Sequence, residues 1–239
     1  MGILGGGGYA EYARLPAAHA MRVPSNLDDA QAAALPEAFL TAYSNLLEIG
    51  GLLSRQTALI HAGASGVGLA AIQIAKQIGA KTVVTASAGK HEVCLAHGAD
   101  RVLDYRAVNF AEVILQDSDG VDVVLDFLGA STFADNLRVL KPWGKLVIVG
   151  LMGGADVQAD LSLLMRKNLT LAGSTLRGRT AAQKAGLTQR FWHWAEPLFL
   201  TGALRPTVWR VLDWTEVETA HRLMAENQNA GKIVLKIGA

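Results

Sequence analysis

The stretch Ala58-Leu59-Ile60-His61-Ala62-Gly63-Ala64-Ser65-Gly66-Val67-Gly68 decides how this chain folds. An apolar run ends in a turn of small residues, and helix-compatible residues follow at once up to Ile78. The dinucleotide-binding fingerprint carries glycine at its first, third and sixth positions, which here are Gly63, Ser65 and Gly68. Gly63 is expected to make the tight turn, and Gly68 to let the helix pack closely on the strand. Gly66 and Val67 fall at the helix start, where amide groups without an intrahelical acceptor and the positive end of the helix dipole suit a diphosphate. Ser65 departs from the strict pattern, but its hydroxyl is itself able to donate to a phosphate oxygen. The bland alternative is a glycine turn that merely packs a helix on a strand. A match of this kind is weak alone and strong only between a strand and a helix.

That context extends along the chain. Short apolar runs recur at Ala58–Ile60, Thr82–Thr85, Arg101–Leu103, Val121–Leu125 and Lys145–Val149. Helical segments alternate with them at Gly66–Ile78, Gly89–His97, Asn109–Leu115 and Thr132–Leu140. Strand–helix alternation predicts an α/β fold, a doubly wound parallel sheet of Rossmann type covered on both faces. The runs are apolar on both faces, as buried parallel strands require. A sixth strand is expected at Leu169–Ala172. Beyond it the pattern predicts a long helix over Ala181–Phe199, a strand at Thr207–Val211, a helix opening at Thr215 with Glu218 as capping partner, and a last strand at Lys232–Ile237. Upstream, Asp28–Glu48 reads as a helix interrupted or restarted at Pro36, and Gly5–Pro24 as an irregular turn with short strand-like pieces around Tyr9, Tyr12 and Val23.

Composition narrows the function classes. The 239 residues correspond to about 1.6 typical domains. A hydrophobic content of 51% with 18% charged residues excludes disorder. Lys+Arg 22 against Asp+Glu 21 supplies no field to recruit nucleic acid or an anionic membrane. No apolar run reaches the roughly 18 residues of a membrane span, and Met1 to Gly5 lacks the features of a secretion signal. The expected partner is a small molecule, with no nucleic acid and no membrane, in a cytoplasmic setting. Cys94, the single cysteine, forms no intramolecular disulfide and no cysteine-rich zinc site, so no metal is expected.

The identity of the dinucleotide rests on the end of the second strand. An NAD site expects Asp or Glu about 20 residues past the fingerprint. The window reads Thr85-Ala86-Ser87-Ala88-Gly89-Lys90 and holds no acid. Ser87 and Lys90 are suited to a 2′-phosphate, which points to NADPH; the alternative makes Lys90 a solvated helix-start lysine. Glu92 falls within the next helix and is set aside. Two later loops, Asp126-Phe127-Leu128-Gly129 and Val149-Gly150-Leu151-Met152-Gly153, leave the carboxyl ends of strands, where ligands of such sheets lie. They are expected to border the nicotinamide, although their glycines read equally well as punctuation.

No catalytic residue emerges. His61 reads as hydrogen-bonded structure beside the turn. His91, His97 and His221 read as solvated, His193 as part of a packed helix face, and His19 as lacking a Cys or carboxylate neighbour. No nucleophile elbow or Ser–His–Asp order is present. The chemistry of such a chain belongs to the cofactor it positions.

The fingerprint, together with Leu35-Pro36-Glu37-Ala38-Phe39-Leu40-Thr41-Ala42-Tyr43, resembles the medium-chain dehydrogenase/reductase family. Leu103-Asp104-Tyr105, Leu151-Met152-Gly153-Gly154 and the closing Glu226–Leu235 run are similar to its zinc-free NADPH:quinone oxidoreductase, or zeta-crystallin-like, branch. The resemblance covers essentially the whole chain. It implies that Lys90 and Tyr105 approach the adenosine 2′-phosphate, Ser65 to Val67 the diphosphate, and Gly129, Leu151 and Met152 the nicotinamide side. It further implies that Thr175, Leu176 and Arg177 border the substrate opening and that the segment from Asn229 to Lys232 returns to the cofactor. Members transfer hydride from NADPH to quinones or electron-poor enones and commonly form homodimers through the edge of the nucleotide-binding sheet.

The resemblance also sets the expected domain plan: residues 1–39 as a remnant of a GroES-like substrate domain with a connecting helix, 40–175 as the NADP-binding Rossmann domain, and 176–239 as a segment returning to the substrate domain. Most of the GroES-like domain is then missing, and with it polar residues that line the cleft in relatives. Two functions stay open: an NADPH-dependent quinone or enone reductase with impaired activity, and a catalytically inactive NADP(H)-binding module. A methyltransferase on the same sheet type is disfavoured by the turn sequence and the C-terminal motifs.

Overall fold

A computed structural model describes residues 1–238. In chain order the elements are α1 (Asp29–Tyr43), β1 (Thr57–Ile60), α2 (Gly66–Gln77), β2 (Lys81–Ala86), α3 (His91–Ala96), β3 (Arg101–Asp104), α4 (Phe110–Asp117), β4 (Val121–Asp126), α5 (Phe133–Val139), β5 (Leu140–Ile148), α6 (Leu161–Lys167), β6 (Thr170–Gly173), α7 (Ala181–Leu200), β7 (Val208–Asp213), α8 (Val217–Ala225) and β8 (Lys232–Lys236). They fall into two compact units. One comprises Tyr43–Ala64 and Ala71–Thr175; the other comprises Met1–Ala42, Ser65–Ala70 and the chain from Leu176 onward.

The first unit is built on a six-stranded sheet in the order β3-β2-β1-β4-β5-β6, with every pairing parallel. This is the doubly wound arrangement expected from the alternation, with β1 and β4 adjacent where the winding reverses. Right-handed crossovers then put α2 and α3 on one face and α4, α5 and α6 on the other. Leu59, Ile60, Val124, Leu125, Leu146 and Val147 are wholly buried on the adjacent strands β1, β4 and β5. Each contributes roughly 1.5–3 kcal/mol by leaving water. On the face covered by α4 and α5 the core closes around Phe110, Ile114, Phe133, Leu137 and Leu140.

Two elements differ from expectation here. Strand β5 begins at Leu140 rather than Lys145 because Leu140 already pairs with Val121 on β4; the register then shifts across Pro142 and Trp143, the latter at φ +67, before Lys145 pairs with Val123. Helix α6 has no counterpart in the sequence reading. Asp160 caps it by accepting from the amides of Ser162 and Leu163, and Asn168 closes it in the left-handed region, so its signals are terminal rather than periodic.

In the second unit α1 opens with a reciprocal cap, Asp28 accepting from the Gln31 amide and the Gln31 side chain from the Asp28 amide. Phe39 meets Phe199 edge-on, with ring centroids 4.9 Å apart. Strands β7 and β8 form a two-stranded parallel sheet. The cap expected at Thr215 lies two residues earlier, where Asp213 and Glu216 form the reciprocal pair and a short 3-10 turn leads into α8. The strand-like pieces before Pro24 are irregular apart from a 3-10 turn at Ala17–His19. Tyr12 there is 91% exposed. An extended segment becomes a strand only when a neighbour takes its hydrogen bonds. His193 is exposed, not packed, because α7 buries Phe191, Ala195 and Phe199 at four-residue steps and residue 193 faces away from that row.

Candidate functional site

In the sheet unit, β1 ends in a turn made by two special positions. Ala62 takes φ +47, and a Cβ at Gly63 would run into Val84 Cγ1 and lie 3.7 Å from Cys94 Sγ. The Gly63 amide donates to Thr85 O at 3.0 Å, which holds the turn down on β2. Just before it, the buried imidazole of His61 spans the unit: Nδ1 lies 2.9 Å from Thr85 Oγ1 and Nε2 2.8 Å from Asn136 Oδ1. Burial lowers the His61 pKa, with the Asn136 hydrogen bond and the Asp126 charge opposing. His61 is therefore a neutral structural link, in keeping with the sequence reading. The Asn136 amide nitrogen has no hydrogen-bond partner among the described residues.

At the end of β4, Asp126 is fully buried and accepts three hydrogen bonds, from the amides of Leu128 (2.9 Å) and Gly129 (3.1 Å) and from Thr132 Oγ1 (3.1 Å). Gly129 takes φ +74, and a Cβ there would approach Gly154 O to 2.5 Å and Leu151 Cδ2 to 2.8 Å. The loops after β4 and β5 are laced together, with Met152 N donating to Phe127 O, Gly153 N to Leu128 O and Ala130 N to Gly154 O. Leu151 and Met152 remain exposed on this pair of loops, at 55% and 71%.

At the end of β2, Ser87 and Lys90 are half-buried around a 3-10 turn. Burial lowers the Lys90 pKa; the nearby Cys94 raises it and the Arg106 charge lowers it further. Tyr105, beyond β3, is exposed, and the Arg106 guanidinium lies 5.5 Å from its ring centroid. Thr175 is exposed at the end of this unit.

In the second unit, the start of α2 is held by Ser65. Its hydroxyl accepts from the Gly68 amide at 3.0 Å, and its carbonyl accepts the first helical bond, from Leu69. The amides of Gly66 and Val67 precede that bond, which is what an anion at a helix start requires. Ser65 also forms a parallel bridge with Gly231. Asn229 Nδ2 donates to Gly231 O at 2.8 Å, and the stem of Lys232 crosses Gly66. Lys232 is paired with Glu37. Leu176 is half-buried; Arg177 is exposed, and its carbonyl accepts from Lys184 Nζ at 3.1 Å.

The remaining histidines are more engaged than expected. His91 and His97 are half-buried and bond to Ala86 O and Val93 O, His221 lies 3.3 Å from the Tyr9 hydroxyl, and His19 is buried against Ala181 O. Sequence reasoning missed two acids with clear roles, Asp126 and Glu37. Asp126 had a signal, an acid at a strand end followed two and three residues later by amides it is able to cap. Glu37 had none, since its partner lies 195 residues away.

Residues 66–190 match the family model described as zinc-binding dehydrogenase, just over half of the chain. This chain belongs to that family. The match agrees with the resemblance to medium-chain dehydrogenase/reductases. The chain is 35% identical over 221 residues to a phenolphthiocerol/phthiocerol polyketide synthase of Mycobacterium tuberculosis, covering 90% of this chain and 10% of that protein. It is 31% identical to the synaptic vesicle membrane protein VAT-1 homolog of Danio rerio, covering 96% of this chain and 51% of that one. The chain thus spans from a tenth to about half the length of these curated relatives.

Among solved structures, the chain superposes on an NAD-dependent alcohol dehydrogenase with a TM-score of 0.83 at 31% identity, covering 97% of this chain and 66% of that one. A mycobacterial protein complexed with NADPH gives a TM-score of 0.85 at 28% identity, covering 95% and 70% of the two chains. CurK enoyl reductase gives 0.81 at 29% identity, covering 92% and 66%. Among the described residues no three or more His, Cys, Asp or Glu side chains cluster as a metal site would need, and no helix is long and apolar enough to cross a membrane.

Proposed function

We propose that this chain binds NADPH and serves the reduction of electron-poor enones or quinones, as a zinc-independent oxidoreductase. The observation that carries the reading is the turn after β1. Gly63 leaves no room for a side chain, and the amides of Gly66 and Val67 precede the first helical bond of α2, the Gly68 amide going to Ser65 Oγ. A dinucleotide fits such residues: the diphosphate falls to the amides of Gly66 and Val67, with Ser65 and Gly68 shaping the helix start. The preference for NADPH over NADH rests on Ser87, Lys90 and Tyr105, with Arg106 adding positive charge near Lys90, and on the lack of an acid at the end of β2. The mycobacterial complex with NADPH supports this choice.

When bound, the nicotinamide supplies a hydride. Gly129, Leu151 and Met152 are proposed to line its side, Thr175, Leu176 and Arg177 to face the acceptor, and Asn229 with Lys232 to return to the cofactor. Enones are favoured over quinones because CurK, one of the similar structures, is an enoyl reductase. A homodimer through the sheet edge follows the family habit. Strand β6 is the last in the sheet and leaves Leu171 exposed, as are Leu161 and Met165 on the neighbouring helix. The second reading is a nucleotide-binding module without turnover.

Titration of the purified chain with NADPH and NADH, followed by turnover on a panel of small enones and ortho-quinones, tests both. Tighter binding of NADPH with acceptor-dependent oxidation is expected. Binding without oxidation leaves the second reading, and failure to bind either coenzyme in a folded sample overturns both.

A further inference from the structure

We infer that Glu37 is a positioning residue that occupies the Lys232 ammonium until a diphosphate displaces it. The inference rests on the reading of the α2 start as a diphosphate site and assigns how access to the lysine beside it is controlled. Three observations within the second unit carry it.

First, the backbone that presents Lys232 is pinned. Gly231 takes φ +102, a conformation costly for other residues, and a Cβ there would approach Thr207 O to 2.7 Å. Gly231 bridges to Ser65, and the Lys232 amide donates to Thr207 O at 2.8 Å. Second, the side chain runs across the site. A Cβ on Gly66 would lie 2.6–2.8 Å from Cε, Cδ and Cγ of Lys232, so three successive methylenes rest on the first residue of α2. A side chain at residue 66 would have to push this stem aside. Third, the ammonium ends on Glu37, whose carboxylate is shared: Oε2 pairs with Lys232 and Oε1 accepts from Thr41 Oγ1 at 3.2 Å, one helical turn on. Glu37 is thereby held at the lysine by its own helix.

The pair is suited to exchange. Its side chains are 32% and 53% exposed, and ion pairs in such surroundings are weak enough to be broken by a better anion. A diphosphate carries more charge than a carboxylate and also gains the amides of Gly66 and Val67. The carboxylate stands in for it, keeps the lysine extended along Gly66, and yields when the diphosphate arrives. An anion without enough charge to gain from both the lysine and the helix start does not displace it.

The test is calorimetric titration of the full chain with NADPH in wild type, Glu37→Gln, Lys232→Met and the double variant, with folding checked by circular dichroism. Glu37→Gln is expected to bind NADPH about two- to fivefold more tightly, the range set by a weak ion pair. In the Lys232→Met background the same change is expected to have no effect, since no ammonium remains to compete for. Tightening that persists in that background reports a general charge effect and overturns the inference while leaving the diphosphate reading intact, as does weaker binding by Glu37→Gln. Absence of NADPH binding to folded wild type removes the diphosphate reading and this inference with it. Should the glutamine variant not fold, Glu37→Asp withdraws the carboxylate by one methylene; a smaller tightening is expected, and none in a folded sample overturns the inference.

Discussion

Thr85 Oγ1 on β2 and His61 Nδ1 at the end of β1 lie 2.9 Å apart inside the sheet unit, while the other imidazole nitrogen reaches Asn136 on α5. One side chain thus ties two strands and a helix at the level where the first turn leaves the sheet. The ring also packs edge-on against Phe110 at 4.8 Å. His61→Ala would leave a cavity and strip buried partners of their hydrogen bonds, and is expected to cost about 2–4 kcal/mol in urea unfolding.

The same histidine makes stability pH-dependent. Its folded pKa is below the unfolded value near 6.5 because burial disfavours the cation. Between those two values the unfolded chain binds more protons, so stability rises with pH in that window. Its contribution is therefore complete above about pH 6.5 and is lost progressively as pH falls toward the folded pKa. Urea midpoints between pH 5 and pH 8 are expected to show this decline in wild type and to lack its His61 share in His61→Ala.

Asp126 accepts three donors in a site closed to water. Asp126→Asn keeps the shape but turns one acceptor oxygen into a donor facing donors. A loss of about 2–3 kcal/mol is expected, together with faster amide hydrogen exchange at Leu128 and Gly129.

Gly63→Ala drives a methyl group into Val84. About 1–3 kcal/mol of destabilisation is expected, with loss of NADPH binding in calorimetry. Val84→Ala in the same chain removes the obstruction, so the double variant is expected to be more stable than the sum of the single changes allows.

Lys90→Ala removes the cation proposed for the 2′-phosphate. NADPH affinity is expected to fall about tenfold while NADH affinity stays within about twofold. Equal losses for both coenzymes would show that Lys90 does not read the 2′ position.

Burial pushes the Cys94 thiol up to about 11. Little thiolate exists at neutral pH, and Ellman's reagent is expected to label Cys94 only after denaturation.

Much of the sheet was legible because its signals are local. The apolar runs of β1 to β4 and the small-residue turn at Gly63 each lie within a few residues of what they specify. Periodicity and turn chemistry act at that range. The alternation of strands and helices, with right-handed crossovers, limits the order in which the strands assemble. The same logic shows why the pieces before Pro24 misled: strand-forming residues there meet no strand to pair with.

What the order of residues determined by itself was a parallel doubly wound sheet and the small-residue turn between β1 and α2. The folded chain alone decided which side chains stand beside that turn's helix and beneath its strand. His61 meets Asn136 across 75 residues and Lys232 meets Glu37 across 195, and no periodicity connects positions so far apart. Such pairs arise only when the chain has condensed, because contacts that distant in sequence must first pay for closing the loop between them.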